Sequence, residues 1–289
     1  MEIAAGQIVT FQRQFSQSEF DRFAALTRDH NPIHVDPQFS ARTRFGRTVA
    51  HGMLLYSTIN RVLNTLLPGP GTLQVKQEMV FRHPTYTQTE ITVRLEVIRI
   101  RSENEPIEIK TTIHLPDGNP ACDGRALVFL PGRKGRFPGA DKIFIASGKP
   151  GVKALKHLKL GQSATDRRAF TKEDVAEYSD LTGDVNPLFS DPEFARENGF
   201  SGCLIPGPLI SGMFSDLLGT RLPGRGTNWL KQNLHFPAPA YVGDEITTMV
   251  EIIRLRPEKD LVNLRGSCAG PAGELVCQAQ SLVLVSDLE

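Results

Sequence analysis

Residues in the first half of this chain reappear in the second half at one constant offset. Adding 155 carries Gly6 to Gly161, Phe15 to Phe170, and Leu26-Thr27 to Leu181-Thr182. Asp29, Asn31 and Pro32 become Asp184, Asn186 and Pro187, and Asp36-Pro37 becomes Asp191-Pro192. Gly52, Leu54, Pro68-Gly69, Lys76-Gln77, Phe81 and Cys122 answer to Gly207, Leu209, Pro223-Gly224, Lys231-Gln232, Phe236 and Cys277. A gapless offset of this length means two copies of one domain of about 130 residues each. The period is too long for a solenoid, so the halves are expected to pack against each other as an intrachain pseudo-dimer. The 289 residues suit two ordinary domains. A further homodimer of the whole chain stays open.

The boundaries follow from the offset: one copy over 1–131, a second over 156–289, and a connector over 132–155. The connector is rich in Pro and Gly and carries Arg133, Lys134, Arg136, Lys142, Lys149 and Lys153 against Asp141. A short strand is expected within it at 142–146. No aromatic residues interleave with its cations, as a nucleic-acid stacking platform would require. A net charge of +1 gives no global attraction to nucleic acid or membrane. The four cysteines have no CxxC pairing and no metal-ligand spacing, which points to free thiols, no metal and a reducing compartment. The first residues lack a signal-peptide pattern, and no apolar run reaches the roughly 20 residues of a membrane span. The expected location is the cytoplasm.

Within copy one, residues 7–14 alternate like a strand. Ser16 and Glu19 form a capping box, so a helix is expected from there to about Arg28, ended by Asn31-Pro32. Thr171 and Asp174 repeat the cap. Residues 37–44 suit a short helix led by Pro37. From Gly52 to Leu67 the apolar positions leave only a narrow polar strip, which describes a helix buried on most sides. Strands are expected at about 73–81, 90–101, 106–115 and 121–130. An antiparallel sheet curled around one apolar helix is an α+β architecture.

The chemistry-bearing residues cluster between 29 and 54. Asp29 and His34 are five residues apart with a proline between them. A regular helix would rotate them away from each other, but the turn at Asn31-Pro32 lets both face one cavity. His51-Gly52-Met53-Leu54 opens the buried helix. A helix N-terminus offers unpaired N–H groups and a positive dipole end, and glycine lets a carbonyl approach the backbone.

Asp29-His30-Asn31-Pro32-Ile33-His34-Val35-Asp36, followed by Phe45 and Val49-Ala50-His51-Gly52-Met53-Leu54, resembles the MaoC-like dehydratase and (R)-specific enoyl-CoA hydratase family. The resemblance covers nearly all of copy one, and copy two as a fold with a damaged motif. It implies a double hot-dog fold and reversible hydration of trans-2-enoyl-CoA to the (R)-3-hydroxyacyl-CoA by syn addition. It implies Asp29 and His34 as the acid–base pair and the Gly52 backbone as oxyanion donor. Asn31, His51 and Met53 are expected to contact substrate. No cofactor is implied beyond the coenzyme A of the substrate. For that carrier's phosphates, Arg42, Arg44, Arg47, Lys76, Arg82 and the connector are candidates.

Copy two departs where the chemistry lies. Phe189 replaces the histidine, and His51-Gly52-Met53 becomes Pro206-Gly207-Pro208. Phenylalanine moves no proton, and Pro208 removes a backbone donor. Copy two is therefore expected to be non-catalytic and to supply part of the acyl tunnel. In many double hot-dog hydratases of this family the C-terminal half carries the motif, so the order here is reversed. Two other readings remain. The same site could act on a thioester linked to acyl carrier protein or on a mesaconyl-type acyl-CoA, or the chain could be a non-catalytic acyl-CoA binding subunit.

Overall fold

The sequence repeat is also a repeat of elements. A computed structural model describes residues 3–100, 105–130, 137 and 154–288. Copy one runs β1 (Ile8–Arg13), α1 (Gln17–Thr27), α2 (Pro32–Val35), α3 (Pro37–Ser40), α4 (Gly52–Thr65), β2 (Leu73–Phe81), β3 (Ile91–Arg99), β4 (Ile107–His114) and β5 (Pro120–Phe129). A small hairpin follows, β6 (Ala154–Leu155) and β7 (Leu158–Lys159), which the sequence did not signal. Copy two then runs β8 (Ser163–Ala169), α5 (Lys172–Thr182), α6 (Pro187–Ser190), α7 (Pro192–Glu197), α8 (Gly207–Asp216), β9 (Asn228–His235), β10 (Glu245–Arg256), β11 (Leu261–Ala269) and β12 (Leu275–Leu284). The expected strand at 142–146 and the basic stretch of the connector lie outside the described residues.

Both capping boxes form. The Ser16 hydroxyl accepts the Glu19 N–H at 3.3 Å and the Glu19 carboxylate accepts the Ser16 N–H at 2.7 Å. Thr171 and Asp174 repeat the exchange at 3.2 and 2.9 Å. Each box joins the other copy through an arginine: Arg13 bonds Glu19 and the carbonyls of Leu181 and Thr182, while Arg168 bonds Asp174 and the Leu26 carbonyl.

The long strands form one antiparallel sheet in the order β1-β3-β4-β5-β2-β9-β12-β11-β10-β8. The copies meet where β2 pairs β9, with Lys76 opposite His235 and Val80 opposite Lys231. Each of those pairs is the other under the 155 offset, so the junction is self-complementary, as a two-fold interface must be. The sheet wraps α4 and α8, which lie against one another. Leu54, Ile59, Val62 and Leu63 of α4 are fully buried, each contributing about 1.5–3 kcal/mol by leaving water. One apolar cluster runs through both copies.

Two helix ends differ from expectation. The helix expected to reach Leu67 stops at Thr65, and Leu66 is 44% exposed. The proline at 68 disfavours helical geometry just before it. The short helix expected over 37–44 ends at Ser40. In copy two the α-helical part is shorter still, and Leu217–Arg221 continues as a wider π-helical turn.

Candidate active site

Helix α1 does not run into the Asn31-Pro32 turn. It ends at Thr27, and Arg28 takes a left-handed conformation, φ 65°. Asn31 then caps α2 with its side chain, and Pro32 starts that helix. His34 thus stands on a short separate helix while Asp29 stays in the turn before it, and both are buried. Proline is well suited to a first helical position because no N–H is needed there.

The His34 ring has a defined tautomer. Nδ1 lies 2.8 Å from the Val49 carbonyl, which can only accept, so Nδ1 carries the proton and Nε2 keeps its lone pair. Burial pushes the ring below the ordinary histidine range, against the pull of the Asp29 carboxylate. His34 is therefore a neutral base. His51 stacks on it with ring centroids 3.8 Å apart. His51 Nε2 donates to the Asp29 carbonyl at 3.1 Å, and burial holds this ring well below the usual range too.

Asp29 is held by both copies. Its Oδ1 accepts the Asn31 N–H at 3.2 Å, and its Oδ2 accepts the Ser215 hydroxyl at 2.5 Å. Ser215 is on α8. Gly219, in the turn beyond, lies so close that a Cβ there would be 2.8 Å from Asp29 Oδ1. The Asn31 side chain crosses to copy two as well: it donates to the Thr227 carbonyl at 3.0 Å and accepts the Gly226 N–H at 3.1 Å.

A cavity of about 130 Å³ opens at this point. Asp29, Asn31, His34 and Gly52 are on its wall, with Ser215 and Trp229 from copy two. Gly52 begins α4, where the first-turn N–H groups have no intrahelical acceptor. A Cβ on Gly52 would be 2.8 Å from the Phe81 ring, also part of the wall. The fold thus brings Asp29, His34 and the Gly52 helix end together around one space.

Two of the residues expected to contact substrate stand back from the cavity wall. Met53 is fully buried in the apolar core and is not on the cavity wall, because the second residue of α4 turns toward the helix packing. His51 is also fully buried and off the wall; it lies behind His34 and braces it. Asn31 reaches the cavity, but its amide is engaged in joining the copies. Ser215, Gly219 and Trp229 were not singled out from the sequence. The offset held the signal: Ser215 answers to Asn60, Gly219 to Asn64, and Trp229 to Gln74.

Where the sequence offered no metal-ligand spacing, the fold brings donor atoms of Asp29, His34 and His51 within 4.8 Å of one another. Each imidazole has one nitrogen fixed to a backbone carbonyl, and His51 is shut off from the cavity.

The equivalent place in copy two encloses only about 40 Å³. Phe189 fills the histidine position, and Phe137 from the connector lies in the wall. Asp184 is saturated: Asn60 donates at 2.7 Å, Asn64 at 2.9 Å and the Tyr178 hydroxyl at 3.0 Å. Asn186 repeats the crossing of Asn31, donating to the Thr72 carbonyl at 2.9 Å and accepting the Gly71 N–H at 3.0 Å.

Known proteins share this plan. The chain matches the MaoC like domain twice, over residues 3–117 and 156–265. The chain belongs to the MaoC-like family. The two matches fall one on each copy. An (R)-specific enoyl-CoA hydratase from Aeromonas caviae is 36% identical over 129 residues, 45% of this chain and 96% of that protein. A mitochondrial 3-hydroxyacyl-[acyl-carrier-protein] dehydratase from Arabidopsis thaliana is 39% identical over 121 residues, 41% of this chain and 72% of that protein. A Mycobacterium tuberculosis protein with a double hot-dog fold superposes with a TM-score of 0.74 at 14% identity, covering 98% of this chain and 96% of that one. The MaoC-like chain described here has that double hot-dog fold. Among the described residues, no helix is long and apolar enough to cross a membrane.

Proposed function

We propose that this MaoC-like protein is a hydro-lyase that reversibly hydrates a trans-2-enoyl-CoA to the (R)-3-hydroxyacyl-CoA. Copy one (1–131) is catalytic, 132–155 connects, and copy two (156–289) is a non-catalytic half that completes the site. The reading rests above all on the meeting of Asp29, the free Nε2 of His34 and the Gly52 helix end around one cavity. The relatives named above carry hydratase and dehydratase names, which supports the same reaction class.

In hydration, the water oxygen bonds to the β-carbon as its proton passes to His34 Nε2. Asp29 enters the step carrying a proton and gives it to the α-carbon, becoming the carboxylate. The cycle closes when the proton on His34 returns to the Asp29 carboxylate. The thioester oxygen carries enolate charge in between and is stabilised by the N–H groups that open α4 at Gly52. Acid–base placement of this kind contributes about 10²–10⁴-fold, and one oxyanion donor about 10²–10³-fold. No step needs a redox group or metal, so coenzyme A enters only as part of the substrate.

The test is loss of enoyl-thioester absorbance when the protein meets crotonyl-CoA. Asp29→Asn and His34→Ala should each lower kcat by at least about 100-fold with the fold intact by circular dichroism. Chiral analysis of the product should give the (R) alcohol. Full activity in either variant would sink the assignment.

A further inference from the structure

Between α3 and Val49 the chain makes a loop carrying Arg42, Arg44 and Arg47, all exposed. Among the described residues none of the three pairs with a carboxylate. Each instead lies over an aromatic ring: Arg47 over Tyr86 at 4.0 Å, Arg44 over Phe45 at 5.8 Å, and Arg42 over Phe39 at 5.9 Å. A ring holds a guanidinium in place without neutralising it, leaving its N–H edges for another acceptor. The loop is tied down, since the Tyr86 hydroxyl donates to the Phe45 carbonyl at 3.1 Å. Arg44, Phe45 and His83 belong to the wall of the copy-one cavity. Two further cations considered from the sequence are engaged, Arg82 with Asp123 and Lys76 with Glu78 at 2.7 Å, and those of the connector lie outside the described residues.

Copy two is an internal control. Under the offset the rings persist as Phe194, Phe200 and Tyr241. The cations do not: Arg42, Arg44 and Arg47 become Glu197, Gly199 and Gly202, and His83 becomes Ala238. The local fold therefore does not require the arginines. They are absent from the copy that lacks the catalytic histidine.

We propose that Arg42, Arg44 and Arg47 form the seat for the phosphate-bearing end of a nucleotide thioester whose acyl end is in the copy-one cavity. This rests on the hydratase reading for the acyl end. Three unneutralised guanidinium groups within six residues suit a cluster of phosphates, which arginine grips bidentately. A carrier protein presents its arm through a single phosphodiester and would need a broad docking face, on the order of 800 Å² per partner. The charge here is gathered on one short loop.

The experiment compares kcat/KM for crotonyl-CoA and crotonyl-pantetheine, which lacks the nucleotide, in the full chain and in the triple variant Arg42→Gln, Arg44→Gln, Arg47→Gln. The expected result is a fall of at least tenfold in the preference for the CoA thioester, carried by KM, with a weaker salt dependence. Arg44→Lys should retain most of the preference. An unchanged preference overturns the proposal, as does a loss confined to a crotonyl carrier-protein substrate. Calorimetry with adenosine 3′,5′-bisphosphate separates this proposal from the reaction itself. Binding that the triple variant loses supports the seat even if neither thioester turns over, whereas binding that survives in the variant, or is absent from the parent, overturns it. The single variant Arg44→Gln, at an exposed side chain, guards against a folding defect and should show a smaller change in the same direction.

Discussion

Asp29 and Asp184 are one residue in two copies, and their surroundings decide what each can do. Asp184 accepts from two asparagine amides and a tyrosine hydroxyl, so its oxygens are engaged in holding α4. Asp29 meets Ser215 where the other meets Asn60 and Gly219 where the other meets Asn64, and Phe23, with no hydroxyl, stands at the position of Tyr178. One side-chain donor replaces three, and the missing side chain at Gly219 leaves space beside Oδ1. Ser215→Ala removes that donor from the buried carboxylate that forms as Asp29 gives up its proton. Hydrogen bonds to charged groups are worth about 1.5–3 kcal/mol, so kcat should fall about 10- to 100-fold in the crotonyl-CoA assay; an unchanged kcat would deny the serine its part. The histidines set the pH behaviour. Burial lowers both His34 and His51 in the folded state, while the unfolded chain titrates near 6.5. Below that pH the unfolded chain binds protons that the folded chain does not, so stability is full above about pH 6.5 and falls as the pH drops. Tm should therefore decrease between pH 7.5 and 5.5. The acid limb of kcat/KM should lie below pH 6.5, because His34 stays an unprotonated base there.

At the scale of elements, the site depends on where α4 begins and on how closely the sheet approaches it. Gly52→Ala places a methyl 2.8 Å from the Phe81 ring, which must shift, and that ring is part of the cavity wall. Overpacking of this kind costs about 1–3 kcal/mol. The expected result is a lower Tm together with a kcat/KM for crotonyl-CoA reduced at least tenfold; unchanged kinetics would mean that the ring has another way to turn. Most of these elements were legible beforehand. Strands expected at 73–81 and 121–130 form over 73–81 and 120–129, since alternation and turn residues carry that information locally. The capping boxes were legible for the same reason. What local patterns do not carry is which face of α4 meets the cavity. Met53 follows Gly52 in sequence yet turns into the core, while Leu55, one turn further, is on the wall. The π-helical turn that brings Gly219 to Asp29 left no period to read.

At the scale of the molecule, neither copy holds a complete site. Asp29 and His34 belong to copy one, yet the serine on the carboxylate and the backbone that anchors Asn31 belong to copy two. The duplication was plain in the sequence, and so was the loss of histidine at Phe189. The crossed contribution was not, because an offset aligns residue 60 with residue 215 without saying that each faces the other copy's aspartate. On the proposed reading, that crossing makes the inactivity of copy two a property of both copies. Restoring its histidine would leave Asp184 saturated by Asn60 and Asn64, which are in copy one, and would leave Pro208 at the start of α8 without a backbone N–H. Phe189→His in a His34→Ala background should therefore stay within the residual activity of His34→Ala alone when assayed with crotonyl-CoA. A return to even one hundredth of the parent rate would mean that histidine alone separates the copies, and that the donors around Asp184 leave it free to exchange a proton.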